Sequence, residues 1–278
     1  MNKIVLITGG NSGIGKATAI GIAKTGATVI IGCRNEQKGL AAIEDIKKAS
    51  GNNNIELLLI DLASMQSVHK AVADFKSRHN QLHVLINNAA IFNPVREETE
   101  DGLEKTFETN YLSHFLLTHL LLDTLKASAP SRIINVASKH FGIKINFDDL
   151  QTTKKYSFMK AVGPTKLGLI MFTKELAKKL EGTGVTVNAL HPGLANSNLL
   201  NNIPAFIRIM FKMISGSPEK SAETSIYLAT SPEVENVNGK YFEKKKEVKT
   251  GANANNEEDN KRFWDISMKL AKLNTNDA

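Results

Sequence analysis

The sequence predicts a doubly wound α/β domain, a parallel sheet with helices on both faces. Three observations carry that prediction. Apolar, β-rich runs alternate with longer amphipathic stretches along most of the 278 residues. Most of these runs are near-continuous Val, Ile and Leu, the pattern of strands buried on both faces. The first run leads straight into Thr8-Gly9-Gly10-Asn11-Ser12-Gly13-Ile14-Gly15, and a helical pattern follows. Strand–helix alternation of this kind implies right-handed crossovers and a single layered sheet.

The elements follow in order. Strands are expected over 3–8, 28–32, 55–60, 84–87, 132–136 and 185–190, with a short one over 240–242. Helices are expected over 15–24, 36–49, 65–77, 100–109, 112–126, 161–180 and 218–230. The run over 115–125 is Leu-rich and apolar nearly all round, as a helix buried between sheet and neighbour would be. Three segments break the rhythm: a polar loop over 52–54, an insertion over 196–217 with an apolar stretch at 204–214, and a charged, Asn-rich linker over 243–260. A final helix is expected near 261–273. The division is therefore a domain over 1–245, with a lid at about 196–217, and a linker with a helical tail over 246–278.

Composition excludes several classes. Hydrophobic residues are 42% and charged residues 23%, as in soluble globular proteins. The net charge of +7 attracts anions, phosphates included, without specifying a nucleic-acid function. The lysines of the linker have no interleaved aromatics, so no nucleic-acid partner is expected. One cysteine, Cys33, permits neither an intrachain disulfide nor a Cys-based zinc site. The seven histidines, at 69, 79, 83, 114, 119, 140 and 191, show no metal spacing. No apolar run approaches the roughly 18 residues of a membrane span. The N-terminus enters a strand at once, which argues against a signal peptide. A cytoplasmic protein is the expectation.

Glycines after the first strand let backbone N–H groups approach a pyrophosphate, and the helix N-terminus adds partial positive charge. The spacing is Gly9-x-x-x-Gly13-x-Gly15. Further along stand Asp61-Leu62, Asn87-Asn88-Ala89-Ala90, Asn110, Ser138 in Asn-Val-Ala-Ser, Lys166 and His191-Pro192-Gly193. In this order and at these distances they resemble the short-chain dehydrogenase/reductase family over about 3–242. The segments 108–118 and 180–193 look most like its retinol-dehydrogenase-like branch. The resemblance implies a Rossmann-like fold and a nicotinamide cofactor held by Gly9, Asn11, Ser12, Gly13, Ile14 and Gly15. Asp61 would face the adenine amine, Asn88 and Ala89 would line the ribose, Pro192 and Gly193 would cover the nicotinamide, and Leu62 would also contact the cofactor. Ala90 stands where the family usually has glycine. Strand two ends Gly32-Cys33-Arg34-Asn35, and Arg34 suits the extra phosphate of NADP. Glu36, close by, opposes that reading.

The family pairs a tyrosine with a lysine four residues later, on one helix face. The tyrosine exchanges a proton with the substrate oxygen, helped by the lysine, a serine and an asparagine. Asn110, Ser138 and Lys166 match; the tyrosine position holds Val162, and Pro164 follows it. Valine can neither give nor take a proton. Of the four tyrosines, Tyr156 would lie about 15 Å from Lys166 along a helix axis. Tyr111 follows Asn110 with its side chain directed away, while Tyr227 and Tyr241 fall in a late helix and strand.

The expected function is hydride transfer between NADP(H) and a carbonyl or alcohol by a short-chain oxidoreductase. Residues 204–214, read as a lid, suggest an apolar substrate such as a retinoid, steroid or lipid aldehyde. A plain packed helix or a membrane-contacting patch are the other readings of that stretch. The alternative function is an NADP(H)-binding protein with impaired or no catalysis. The resemblance also allows a homo-oligomer, through the 115–125 helix and the one that follows.

Overall fold

The computed structural model describes residues 3–139, 142–193 and 216–274. Its frame is one sheet in the order β3-β2-β1-β4-β5-β6-β7-β8. The strands are β1 (Ile4–Thr8), β2 (Thr28–Cys33), β3 (Ile55–Leu59), β4 (Val84–Asn87), β5 (Ser131–Val136), β6 (Val185–His191), β7 (Tyr241–Glu243) and β8 (Lys246–Glu247). Neighbours run parallel except β7 and β8, which pair antiparallel. The order reverses between β1 and β4, which places a crevice at the carboxyl ends of those strands. This is the Rossmann-like, doubly wound α/β sheet that the pattern predicts.

The continuous apolar runs have a direct explanation. Successive side chains of a strand point to opposite faces. Leu6 and Ile30 enter one core cluster, whereas Val5, Ile7, Val29 and Ile31 enter the other. The second face is covered by α1 (Gly13–Ala23), α2 (Glu36–Ser50) and α8 (Pro218–Thr230). The first is covered by α3 (Met65–Arg78), α5 (Ser113–Leu120), α6 (Leu122–Ala127), α7 (Phe158–Lys179) and α9 (Glu257–Leu270). The C-terminal helix is thus part of the packing: Phe263 lies 4.6 Å from Tyr111, and Trp264 lies 5.2 Å from Phe115, ring centroid to centroid.

Three local departures from expectation matter. The helix expected over 100–109 is replaced by a turn at Gly102 (φ 72°), then a single turn α4 (Lys105–Phe107). The Glu104 carboxylate accepts from the Thr106 and Phe107 amides and so starts that turn late. A π-turn, Glu108–Leu112, then carries Asn110 into α5. Helix α7 begins at Phe158, capped by Ser157, rather than at 161. Finally, β8 follows a hairpin with Lys244 and Lys245 at φ 50° and 63°. Among the described residues, no helix is long and apolar enough to cross a membrane. Of the expected lid, residues 196–215 lie outside the described residues.

Candidate active site

The glycine turn sits at the crevice. Gly9 (φ 66°) and Gly13 (φ 52°) adopt the left-handed conformation that favours glycine. A Cβ on Gly15 would meet the Gly9 carbonyl oxygen at 2.2 Å, so the turn closes on itself only with glycine there. Ser12 precedes α1 in extended conformation and makes no side-chain capping bond. The first amides of α1 are therefore left without a side-chain acceptor, at the positive end of the helix.

Beneath the turn lies a buried polar network. Thr8 Oγ1 pairs with His114 Nε2 at 2.9 Å and accepts from the Asn88 and Ala89 amides. Asn88 Nδ2 donates to the Thr8 carbonyl at 2.8 Å. Burial, helped by the nearby Lys166 charge, pushes His114 down to about 3, so its imidazole is neutral. His114 and His119 are both buried, and so belong to the packing. At the adenosine end, Arg34 follows β2 and is exposed. Asp61 follows β3, and its Oδ1 accepts from the Ala63 amide.

Three of the reaction-site candidates are held as follows. Lys166, 8% exposed, donates to the Val136 carbonyl at 2.9 Å. Burial lowers its ammonium to about 8. Ser138 follows β5, and the Tyr241 hydroxyl donates to its backbone carbonyl at 3.0 Å. Asn110 sits in the π-turn. Its side chain accepts from the Ile91 amide at 2.7 Å and donates to the Ile91 carbonyl at 3.0 Å. Asn110 thus pins the segment after β4, and its amide does not line the cavity. Insertions of this kind recur at functional sites because they re-aim one residue of a helix.

Val162 lies one turn before Lys166 on α7, 7% exposed. None of the tyrosines takes its place. Tyr111 is buried with its hydroxyl against Ser267, and burial raises its phenol. Tyr156 donates to the Asn93 carbonyl at 2.8 Å. Tyr227 is hydrogen-bonded to Glu233, and Tyr241 holds the Ser138 backbone. That last bond was not legible in the sequence; it depends on β7 lying beside β6.

One cavity of about 780 Å³ joins these parts. The glycine turn, Arg34, Asp61 and Leu62 line it, as do Asn88, Ala89, Pro192 and Gly193. Ser138, Val162 and Lys166 line the same cavity, together with the apolar Phe92, Ile143, Phe158 and Met159. Three buried polar atoms on residues of its wall have no hydrogen-bond partner among the described residues: Asn93 Nδ2, Thr109 Oγ1 and His191 Nδ1. Orphaned buried groups of this kind call for a ligand. Together with the uncapped α1 amides, they fit a dinucleotide lying along the crevice. Cys33 also lines this cavity, and burial raises its thiol.

Fold and cavity define a protein of the Rossmann-like nucleotide-binding class. The comparisons narrow it. The model of the family described as short chain dehydrogenase matches residues 3–207. Retinol dehydrogenase 13 of Homo sapiens is 42% identical over 281 residues, covering 98% of this chain and 85% of the relative. Retinol dehydrogenase 14 of Homo sapiens is 43% identical over 291 residues, covering 98% and 87%. A solved structure of an uncharacterised protein from Mycobacterium paratuberculosis superposes with a TM-score of 0.79 at 29% identity, covering 98% of this chain and 94% of that one. The chain belongs to the short-chain dehydrogenase family, in its retinol-dehydrogenase-like branch, and so to an oxidoreductase family.

Proposed function

We propose that the protein is an NADP(H)-dependent carbonyl reductase or alcohol dehydrogenase of apolar substrates. The observation that carries this reading is the single cavity that runs from the glycine turn to Ser138 and Lys166. The glycine turn and the α1 amides would hold the pyrophosphate. Asp61 and Leu62 would contact the adenine, Asn88 and Ala89 the ribose, and Pro192 and Gly193 the nicotinamide. Arg34, at the end of β2 and on the cavity wall, would pair with the 2′-phosphate of NADP. A solved structure of Pseudomonas aeruginosa RhlG, 25% identical with a TM-score of 0.69 and covering 91% of this chain and 96% of that one, is described as an NADP active-site complex. That supports a dinucleotide here.

The cofactor, when bound, supplies or accepts the hydride. The Ser138 hydroxyl would hold the substrate oxygen, Lys166 would bind the nicotinamide ribose, and Asn110 would fix the wall at Ile91. Phe92, Ile143, Phe158 and Met159 give the substrate end an apolar lining, which suits a retinoid, steroid or lipid aldehyde. The relatives named as retinol dehydrogenases point the same way. A lone, buried Cys33 is consistent with a cytoplasmic setting. Val162 favours a second reading, a protein that binds NADP(H) with little turnover.

The test is fluorescence titration with NADPH and NADH, followed by turnover assays on a panel of apolar aldehydes and ketones. The reading expects tighter NADPH binding and reduction of at least one carbonyl by this chain or by its Val162→Tyr variant. NADPH binding without turnover by either would leave the second reading standing.

A further inference from the structure

Valine at 162 removes the family's proton donor yet leaves the lysine one turn later in place. Val162 and Lys166 share a face of α7, four residues apart, and both line the cavity. An ammonium carries three protons. Among the described residues one of them is taken, by the Val136 carbonyl. Even if a ribose hydroxyl takes the second, one N–H remains for the substrate side. Ser138 lines the same cavity, and its hydroxyl makes no hydrogen bond to the described residues. Val162 lines this cavity without a polar group, and a water beside it needs polar partners to stay. Lys166 and Ser138 would supply two.

We propose that Lys166 is itself the proton donor of this site, acting through a water held between its ammonium and the Ser138 hydroxyl. The proposal rests on the carbonyl-reductase reading above. In the step, hydride from a reduced nicotinamide adds to the carbonyl carbon, and the C=O π pair moves to oxygen. That oxygen takes a proton from the bridging water, and the water takes one from Lys166. The products are the alcohol, the oxidised nicotinamide and a neutral Lys166 amine, which solvent then reprotonates.

The surroundings suit the role. An ammonium lowered to about 8 is charged at neutral pH yet releases its proton readily. Burial alone lowers it. His114 of α5 is neutral. His191 of β6, also lowered by burial, and Lys139 line the same cavity. The Tyr241 phenol of β7 is raised by burial and bonded to the Ser138 carbonyl. The Glu243 carboxylate is paired with Lys139 at 2.9 Å, which leaves Lys166 without a carboxylate partner among the described residues.

The test uses the full chain and its Val162→Tyr, Lys166→Arg and Lys166→Ala variants, with NADPH and decanal. For the parent chain, kcat/KM is expected to be flat at neutral pH and to fall about tenfold per pH unit above about 8. Lys166→Arg keeps a cation and its donors but cannot release a proton. It should lose roughly 10²-fold or more in rate, lose the pH break, and still bind NADPH in a fluorescence titration. Lys166→Ala should regain turnover with added primary amines, at rates that follow the amine pKa. Without any cofactor, NMR of 13C-labelled lysine should show one resonance titrating near 8 that is missing in Lys166→Arg. A Lys166→Arg protein with the parent's rate and pH profile would overturn the proposal. So would an inactive parent alongside an active Val162→Tyr variant. If neither the parent nor Val162→Tyr reduces any carbonyl while both bind NADPH, the carbonyl-reductase reading falls, and the proposal falls with it.

Discussion

Replacing Gly168 with alanine should destabilise the protein in a way that a second substitution, Phe263→Ala, reverses. A Cβ at Gly168 would stand 2.6 Å from Phe263 Cε1, 3.0 Å from its Cζ and 3.2 Å from Tyr111 Cδ2. The Phe263 ring cannot simply swing away. It is 1% exposed and packed against Tyr111, Phe107 and Phe147 at centroid distances of 4.6, 6.5 and 6.4 Å. Overpacking of this kind costs about 1–3 kcal/mol. Alanine returns roughly 0.8–1.0 kcal/mol of helix propensity. The net cost of Gly168→Ala is then about 1 kcal/mol. Phe263→Ala alone should cost about 3–5 kcal/mol, from lost burial and a residual cavity. With the ring gone, the new methyl keeps only the 3.2 Å contact with Tyr111 Cδ2, whose ring can shift into the vacated space, and Gly168→Ala becomes neutral or stabilising by up to about 1 kcal/mol. The coupling between the two sites is therefore on the order of 2 kcal/mol, within the range for residues in contact. Urea denaturation of the four proteins, with equal m-values, measures it. Additivity within about 0.5 kcal/mol would refute the argument that α9 is docked on α7 through this ring.

Other perturbations test the remaining parts. Arg34→Ala should weaken NADPH binding by roughly tenfold or more, as loss of a charge-assisted pair does, and leave NADH binding unchanged; equal weakening of both would remove Arg34 from phosphate recognition. Glu108 lies fully buried in the π-turn, and burial with the nearby Asp101 raises its carboxyl to about 7. Its folded value exceeds its unfolded one, so its share of stability is complete below about 4.5 and is lost as pH rises through about 7. Comparison with Glu108→Gln across that window should show a difference on the order of 1–3 kcal/mol. His114 runs the opposite way: its folded value, about 3, lies below the unfolded 6.5. The folded state therefore binds fewer protons, and stability should fall as pH drops below 6.5, by about 1.4 kcal/mol per unit until about 3. His114→Asn should flatten that limb in pH-dependent urea titrations. Truncation before α9 would expose Phe115, His119 and Phe172, which Trp264 now covers. Light scattering should then show more self-association than the full chain does, because this apolar face is uncovered.

Much of the sheet was legible because burial on both faces makes a parallel strand apolar throughout. Val5, Leu6 and Ile7 in β1 feed opposite clusters, and no alternation survives in the sequence. The parts that stayed hidden are those whose cause lies elsewhere in the chain. The hairpin before β8 turns on Lys244 and Lys245, both at positive φ. Turns of that kind usually announce themselves by Asn-Gly or Asp-Gly, and two lysines carry no such signal. The π-turn at Glu108–Leu112 is likewise invisible to a 3.6-residue period. Its Asn110 answers to the Ile91 backbone, 19 residues earlier.

The site divides along the same line. Its phosphate end is a local device: glycines forced by φ and close approach, followed at once by a helix N-terminus. Local devices are written contiguously and can be read from a dozen residues. The proposed reaction end is assembled from β5, α7, β6 and β7, and there the sequence reports residue types without their relations. Val162 could be recognised as an absence by counting back from Lys166. What surrounds that absence could not. Among the described residues, the structure adds a lysine with one protein acceptor, a serine backbone held by Tyr241 from β7, and polar atoms on Asn93, Thr109 and His191 without a hydrogen-bond partner. Val162 stands where the resemblance places the family's proton donor, and Lys166 lines the same cavity. Whether chemistry continues there turns on the neighbour that still has protons to give.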